Sequence, residues 1–279
     1  MKTLEKFEHI PTFDNSFVDS NIPTTSITTI IGMLVEPFNQ REVAEKTFNK
    51  HFNNAESQYF NKTVDQIIEM WAAKGAESLR YGRLNDEYIG IVLEGNETDY
   101  ELYDLDNDVE SDERLKLQIE SFNQFIADNQ NRYKYIAREK TVYYRLGDNY
   151  VKGRFDALLF DTVKNKYLIV DWKTSGSVDT VVNRWTDKML GAAKEFDNLN
   201  WNSYTMQVYF YKTALIESGY LPAGTKYDDI DVCIINFPGK QFSDGKLYRI
   251  YEPAFEYNKE TMDKIFNFGI KKNMILNRK

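Results

Sequence analysis

The stretch VKGRFDALLFDTVKNKYLIVDWKTSG, residues 151–176, decides how this chain reads. Two runs rich in Val, Ile, Leu, Phe and Tyr, 151–160 and 167–172, flank the polar turn Asp161–Lys166, the pattern of a β-hairpin. Pairing about the middle of that turn sets Phe160 opposite Tyr167, Leu158 opposite Ile169 and Asp156 opposite Asp171. Directly opposed side chains of an antiparallel pair stand roughly 5 Å apart. Two carboxylates are thus brought together on otherwise apolar strands, which is costly unless something neutralises them. A hard divalent cation with oxygen ligands does this well. Lys173 lies two residues beyond Asp171, so strand alternation puts it on the same face. Two carboxylates, a cation and an adjacent lysine are what metal-assisted phosphodiester hydrolysis requires. Asp-x-Lys alone is common, and a strand end carrying it is usually a solvated edge; the opposed Asp156 sets this one apart. Gly153 suits either a close backbone approach or an ordinary strand irregularity.

Working outward, Tyr133–Leu146 reads as a strand before the hairpin, and Asp231–Phe237 and Leu247–Tyr251 as two after it. Helices are expected at Gln40–His51, Val64–Leu79, Leu115–Asn129, Asn183–Glu195, Trp201–Ser218 and Asn258–Leu276, with Arg83–Leu93 following the second. Residues 24–52 open on a Thr/Ser-rich stretch. The order is helices, three strands, helices, two strands, helix, which implies a mixed sheet flanked by helices. Neither a repeat nor a Pro- or Gly-rich linker divides the chain. It is read as one compact unit, an N-terminal helical region (1–130) packed on a core (131–279).

Composition excludes several classes. With 42% hydrophobic and 15% aromatic residues the 279-residue chain has ample material for a core. No stretch approaches the ~20 apolar residues that cross a bilayer, and the start lacks a signal's apolar centre. A single cysteine, Cys233, rules out a disulfide framework and a Cys-x-x-Cys zinc site. A cytoplasmic protein without a membrane partner is expected. The net charge of −8 argues at first against a nucleic-acid partner. Ten acidic residues and no Lys or Arg stand between Glu94 and Glu113, however, and the rest of the chain keeps a net +2. Such a run is usually a solvated face; the sharper alternative is a DNA mimic over the protein's own groove.

Gly153-x-x-Asp156, followed by Asp171-Trp172-Lys173 after a short hairpin, resembles the signature of the PD-(D/E)XK nuclease superfamily. Gln207-x-x-x-Tyr211 resembles the additional motif of its RecB-type branch, and the two residues share a helix face. SITTIIGMLVEPF, 26–38, resembles the opening of phage and mitochondrial genome maintenance exonucleases. The resemblance covers roughly residues 24–218. It implies a restriction-endonuclease-like core and a DNA phosphodiesterase using one or two Mg²⁺ or Mn²⁺ ions. It assigns Asp156 and Asp171 to the metal, the Trp172 main-chain carbonyl to a further ligand, Lys173 to catalysis, and Gln207 and Tyr211 to supporting the site and contacting DNA. Glu139 matches an acidic position often present; a surface Glu beside Arg138 and Lys140 is the alternative. Many members carry a histidine four residues after a helical glycine; here Asp86 follows Gly82 at that spacing, and a one-residue slip would substitute Glu87. Aspartate also serves magnesium, so a complete site and a degenerate one both stand. One cysteine cannot hold the iron–sulfur cluster of some relatives.

Basic and aromatic residues mingle in Arg132–Tyr135, Arg138–Arg145 and Lys152–Phe155, and Trp185 and Trp201 bracket a helix, a mixture suited to single strands or frayed ends. The sequence reading is therefore a metal-dependent DNA nuclease, with an exonuclease of replication, recombination or genome processing first. A structure-specific endonuclease on the same core and an inactive nucleic-acid-binding or assembly protein are the alternatives.

Overall fold

The computed structural model describes residues 3–94, 113–174, 176–184 and 186–277. The acidic window between Glu94 and Glu113 lies, apart from its two ends, outside the described residues, as does Trp185. The architecture is α/β: a mixed six-stranded sheet flanked by helices, as the element order implies.

The strands are β1 (Thr24–Ser26), β2 (Tyr133–Leu146), β3 (Asn149–Asp161), β4 (Lys166–Lys173), β5 (Ile230–Asn236) and β6 (Arg249–Tyr251). The helices are α1 (Ile27–Gly32), α2 (Gln40–His51), α3 (Val64–Glu94), α4 (Glu113–Asn129), α5 (Asn200–Glu217) and α6 (Lys259–Leu276). The hairpin takes the register read from its turn, with Phe160 opposite Tyr167 and Leu158 opposite Ile169. Its turn closes with Asn165 in the left-handed region at φ 55°, a conformation Asn tolerates better than most residues.

Alternation along the strands feeds two apolar layers. Leu158 and Ile169 face α1, α5 and α6 through Ile27, Ile30, Phe210 and Phe266. Ala157, Leu159, Val170 and Trp172 face α3 and α4 through Tyr88, Val92, Phe122 and Phe125.

The topology leaves one notch. β2 pairs with β3 along almost its whole length. β1, in parallel, takes residues 150–152 of β3, and β4 takes 157–161. Because a strand has only two edges, β1 and β4 share the second one, and residues 153–156 between them have no strand neighbour on that side.

Three expectations differ from the structure. The described residues of Asn183–Glu195 form no α-helix: apart from the short 3₁₀ turn Gly191–Ala193 they are irregular. Gly191 sits at φ 57°, and a Cβ there would fall 2.1 Å from the Phe268 ring, so packing against α6 fixes a backbone that no α-helix allows. Met189 and Ala193 are buried one by one instead of along a helical stripe. Second, Val64–Leu79 and Arg83–Leu93 form a single 31-residue helix, α3. Third, β1 is an additional strand of three residues, too short to leave a periodic signal, capped into α1 by Ser26 accepting from the Thr29 N–H.

Candidate active site

The notch gathers most of the residues singled out in the sequence. Asp171 lies next to the end of the buried run of β4 and is itself fully buried. Its Oδ2 stands 2.6 Å from Lys173 Nζ, while its Oδ1 meets no hydrogen-bond donor among the described residues. Burial pushes the Asp171 carboxyl above the usual aspartate range, with Lys173 pulling the other way. Asp156, half-buried, accepts the Trp172 main-chain N–H at 2.6 Å. Burial and then the charge of Asp171 push its carboxyl well up, against Lys173 and the Trp172 N–H. Burial works against the Lys173 ammonium, but Asp171 and Asp156 hold its pKa above the ordinary value. Lys173 Nζ also lies 4.3 Å from the centre of the Tyr204 ring. Trp172 thus contacts the site through its N–H, and its indole belongs to the apolar layer under α3 and α4.

Helix α5 closes the notch. Tyr211 is buried, and its O–H donates to the Arg154 carbonyl at 2.8 Å, in the interval where β3 lacks a strand partner. An unpaired buried carbonyl is unfavourable, so the phenol completes the sheet where the topology leaves it open. Gln207, one turn earlier, donates to the Tyr211 oxygen at 2.8 Å. Gly153 makes this approach possible: a Cβ there would stand 2.7 Å from the Tyr211 ring and 2.8 Å from that of Phe210.

Two further acids face the cavity from other elements. Glu139 on β2 lies at φ 52°, a left-handed backbone that is strained for a residue with a side chain. Its Oε2 pairs with Arg154 Nε at 2.5 Å, and burial followed by the charge of Asp86 raises its carboxyl. Asp86 on α3 is bound to Arg138, with Nη2 2.8 Å from Oδ1 and 3.0 Å from the Asp86 carbonyl. Asp86 lines the same cavity as Asp156 and Glu139, whereas Glu87 is exposed and does not line it. That cavity, about 420 Å³, is also lined by Arg83, Arg154, Trp172 and Thr174.

Sequence reasoning missed the parts that hold these groups. Arg138 is a mostly buried guanidinium, and Gly90 makes room for it, since a Cβ there would stand 2.5 Å from its Nη1. Asn85 and Gln118, both buried, bond each other at 2.7 Å, and Gln118 donates to the Thr174 carbonyl at 2.9 Å. This ties the end of β4 to α3 and α4. The i, i+4 position of Asn85 after Tyr81, whose carbonyl its side chain binds, is the one local signal. Other expected strand-binding residues point elsewhere. Arg132 is held by Asp161, Tyr133 and Tyr135 are buried, and the Trp201 indole N–H donates to the Glu252 carbonyl.

Among the described residues no three His, Cys, Asp or Glu side chains form a ready-made metal cluster. Asp86 and Glu139 each already carry an arginine partner. Magnesium does not need a closed protein cage: one or two carboxylates suffice, with water and substrate phosphate as the other ligands. Asp156 and Asp171 fit that lesser demand. One is a buried carboxylate with an oxygen lacking any donor, and both have elevated affinities for protons that a dication would satisfy.

No protein-family model matches the chain, and no curated protein matches it. Among solved structures, the crystal structure of a Eubacterium rectale protein named "Putative exonuclease" aligns over 97% of this chain and 86% of its own. It has 9% identity and a TM-score of 0.44, a likeness too loose to assign an activity.

Proposed function

We propose that the protein is a metal-dependent DNA nuclease, and within that class an exonuclease acting on single-stranded or frayed ends. The observation that carries this is Asp171: a fully buried carboxylate with an oxygen that meets no donor among the described residues, in contact with Lys173 and close enough for its charge to act on Asp156, which lines the cavity. Burying such a group without a function is unfavourable, and a site that must neutralise phosphate charge is a reason to do so.

In this reading Asp156 and Asp171 hold Mg²⁺ or Mn²⁺, with the Trp172 carbonyl as a further ligand. When bound, the ion supplies Lewis acidity and neutralises charge on the phosphoryl oxygens. Lys173, held protonated between the two aspartates, is the chain's own positive group at the reacting phosphate and orients the attacking water. Gln207 and Tyr211 act by position: they fix Arg154, and with it the strand that carries Asp156. This pairing of a glutamine with a tyrosine that braces the strand supports the RecB-type assignment. Arg138 and Arg154 hold Asp86 and Glu139 in place until metal or substrate competes for them.

A second reading, a nucleic-acid-binding or assembly protein on a retired site, is favoured by one observation: Asp86 is neutralised by Arg138 in place of lying free.

The test is cleavage of end-labelled single-stranded, linear duplex and closed circular DNA with Mg²⁺, Mn²⁺ or EDTA, beside Lys173→Ala. Metal-dependent loss of linear substrates, absent in the variant and on circles, is expected. Cutting of circles moves the assignment to an endonuclease. Binding without cleavage under any metal moves it to the second reading.

A further inference from the structure

The acidic cavity has a basic neighbour on each side. Beyond Lys173 a cavity of about 610 Å³ is lined by Lys74, Arg114, Lys173 and Lys240 and, among the described residues, by no carboxylate; it shares Ser78, Trp172 and Thr174 with the acidic cavity. On the other side a cavity of about 460 Å³ is lined by Lys152, Arg154, Gln207, Ser26 and Thr28, again with no carboxylate among the described residues; it shares Arg154 with the acidic one. The first is a built feature. Gly239 at φ 65° brings the loop after β5 against α4, where a Cβ would stand 2.5 Å from Arg114 Cγ and 2.8 Å from its carbonyl. Arg114 in turn reaches the Thr174 carbonyl. Lys74, Lys152 and Lys240 are exposed and, among the described residues, have no carboxylate partner.

A basic, acidic, basic succession is unsuited to a small neutral ligand or to a lone anion. It matches a polyanion whose middle phosphate sits over the carboxylates while the phosphates before and after it meet lysines. Three adjoining cavities of a few hundred Å³ suit successive nucleotides of a single strand, whose backbone can follow them one by one. We infer that one nucleic-acid strand runs across the notch through all three cavities, with Lys74 and Lys240 holding its phosphate backbone on the Lys173 side and Lys152 on the Gln207 side. This rests on the nuclease reading for the identity of the central cavity, and binding tests it separately from cleavage.

The experiment measures the affinity of a fluorescent single-stranded oligothymidylate against salt concentration. All proteins carry Asp156→Asn, so that no substrate is consumed. The arms are this protein alone, with Lys74→Ala/Lys240→Ala, with Lys152→Ala, and with the charge-matched control Lys50→Ala/Lys271→Ala. Each lost phosphate contact to a single strand lowers the slope of log K against log salt by about 0.7. The slope therefore falls by about 1.4 in the first double variant and about 0.7 in Lys152→Ala, with affinity down roughly tenfold and threefold, and stays unchanged in the control. Unchanged slopes in the pocket variants, an equal loss in the control, no binding at low salt, or an equal effect on a blunt duplex each overturn the path. Falling slopes here, with no cleavage by the unsubstituted protein under any metal, leave the path standing and remove the nuclease reading. Cleavage by the unsubstituted protein with unchanged slopes here does the reverse.

Discussion

The two ends of one hairpin carry buried aspartates treated in opposite ways. At the turn end Asp161 is 2% exposed, and every demand of its carboxylate is met. Arg132 reaches Oδ2 with Nη2 at 2.7 Å and Nε at 3.0 Å, and the Val163 and Lys164 N–H groups donate to Oδ1. Burial opposes its charge, yet Arg132 and the Lys164 and Val163 amides prevail and its pKa falls below the ordinary value. At the open end Asp171, at 0% exposure, has among the described residues one lysine and an oxygen without a donor, and its pKa is raised. Residue type, hairpin and burial are nearly the same. What separates a structural acid from a reactive one is whether the fold supplies the donors, and at Asp171 it withholds them.

The comparison breaks first on activity. Asp171→Asn should lower metal-dependent cleavage by about 10³-fold, the scale of removing a preorganised electrostatic group. Asp161→Asn should leave kcat/KM within about threefold, because its partners lie at the far turn. Initial rates on end-labelled single strands decide this. Comparable losses in the two variants would mean that the unsatisfied carboxylate has no special part in the reaction.

Stability should respond with opposite sign. Hydrogen bonds to a charged group contribute about 1.5–3 kcal/mol, so Asp161→Asn should cost about 2 kcal/mol and lower Tm by about 4 °C. Asp156→Asn in EDTA should raise Tm by about 2 °C, since it removes a carboxylate whose ionised form the fold disfavours and leaves an oxygen for the Trp172 N–H. A fall in Tm for Asp156→Asn would show that its charge pairs with Lys173 more strongly than it suffers from burial. Adding Mg²⁺ should stabilise the unsubstituted protein and not the variant, because only a state that binds the ion gains from it.

The hairpin was legible because its information is local. A polar turn sets the register, alternation sets the faces, and the register follows for Phe160 and Tyr167 and for Leu158 and Ile169. The i, i+4 spacing likewise puts Gln207 against Tyr211. What escaped the sequence depends on residues far apart in the chain. Arg138 meets Asp86 across 52 residues, Gln118 meets Thr174 across 56, and β1 takes its place only through pairing with β3. The Asn183–Glu195 segment misled for the same reason: its helical spacing is overruled at Gly191 by a ring on α6. A short strand has no periodicity to read, and a guanidinium carries no sign in the sequence of whether it will face solvent or a carboxylate.

The smallest effect, and the one that separates the two acids most directly, is the pH at which each substitution ceases to matter. A lowered folded pKa gives stability that is present above the ordinary aspartate value near 3.8 and lost as pH falls through the folded value. The deficit of Asp161→Asn should therefore persist through mildly acidic buffers and shrink only in strong acid. A raised folded pKa works the other way: stability declines as pH rises from 3.8 through the folded value, where the unfolded chain has already ionised. The gain from Asp156→Asn should accordingly be greatest at the alkaline end, shrink as pH falls below the folded value towards 3.8, and vanish while the Asp161→Asn deficit is still intact. Thermal unfolding of the three proteins in EDTA from pH 8 to pH 4 reads both differences. If the two fade together, the ends of the hairpin do not differ in how they treat a carboxylate, and the case for Asp156 and Asp171 as the reactive pair loses its physical basis.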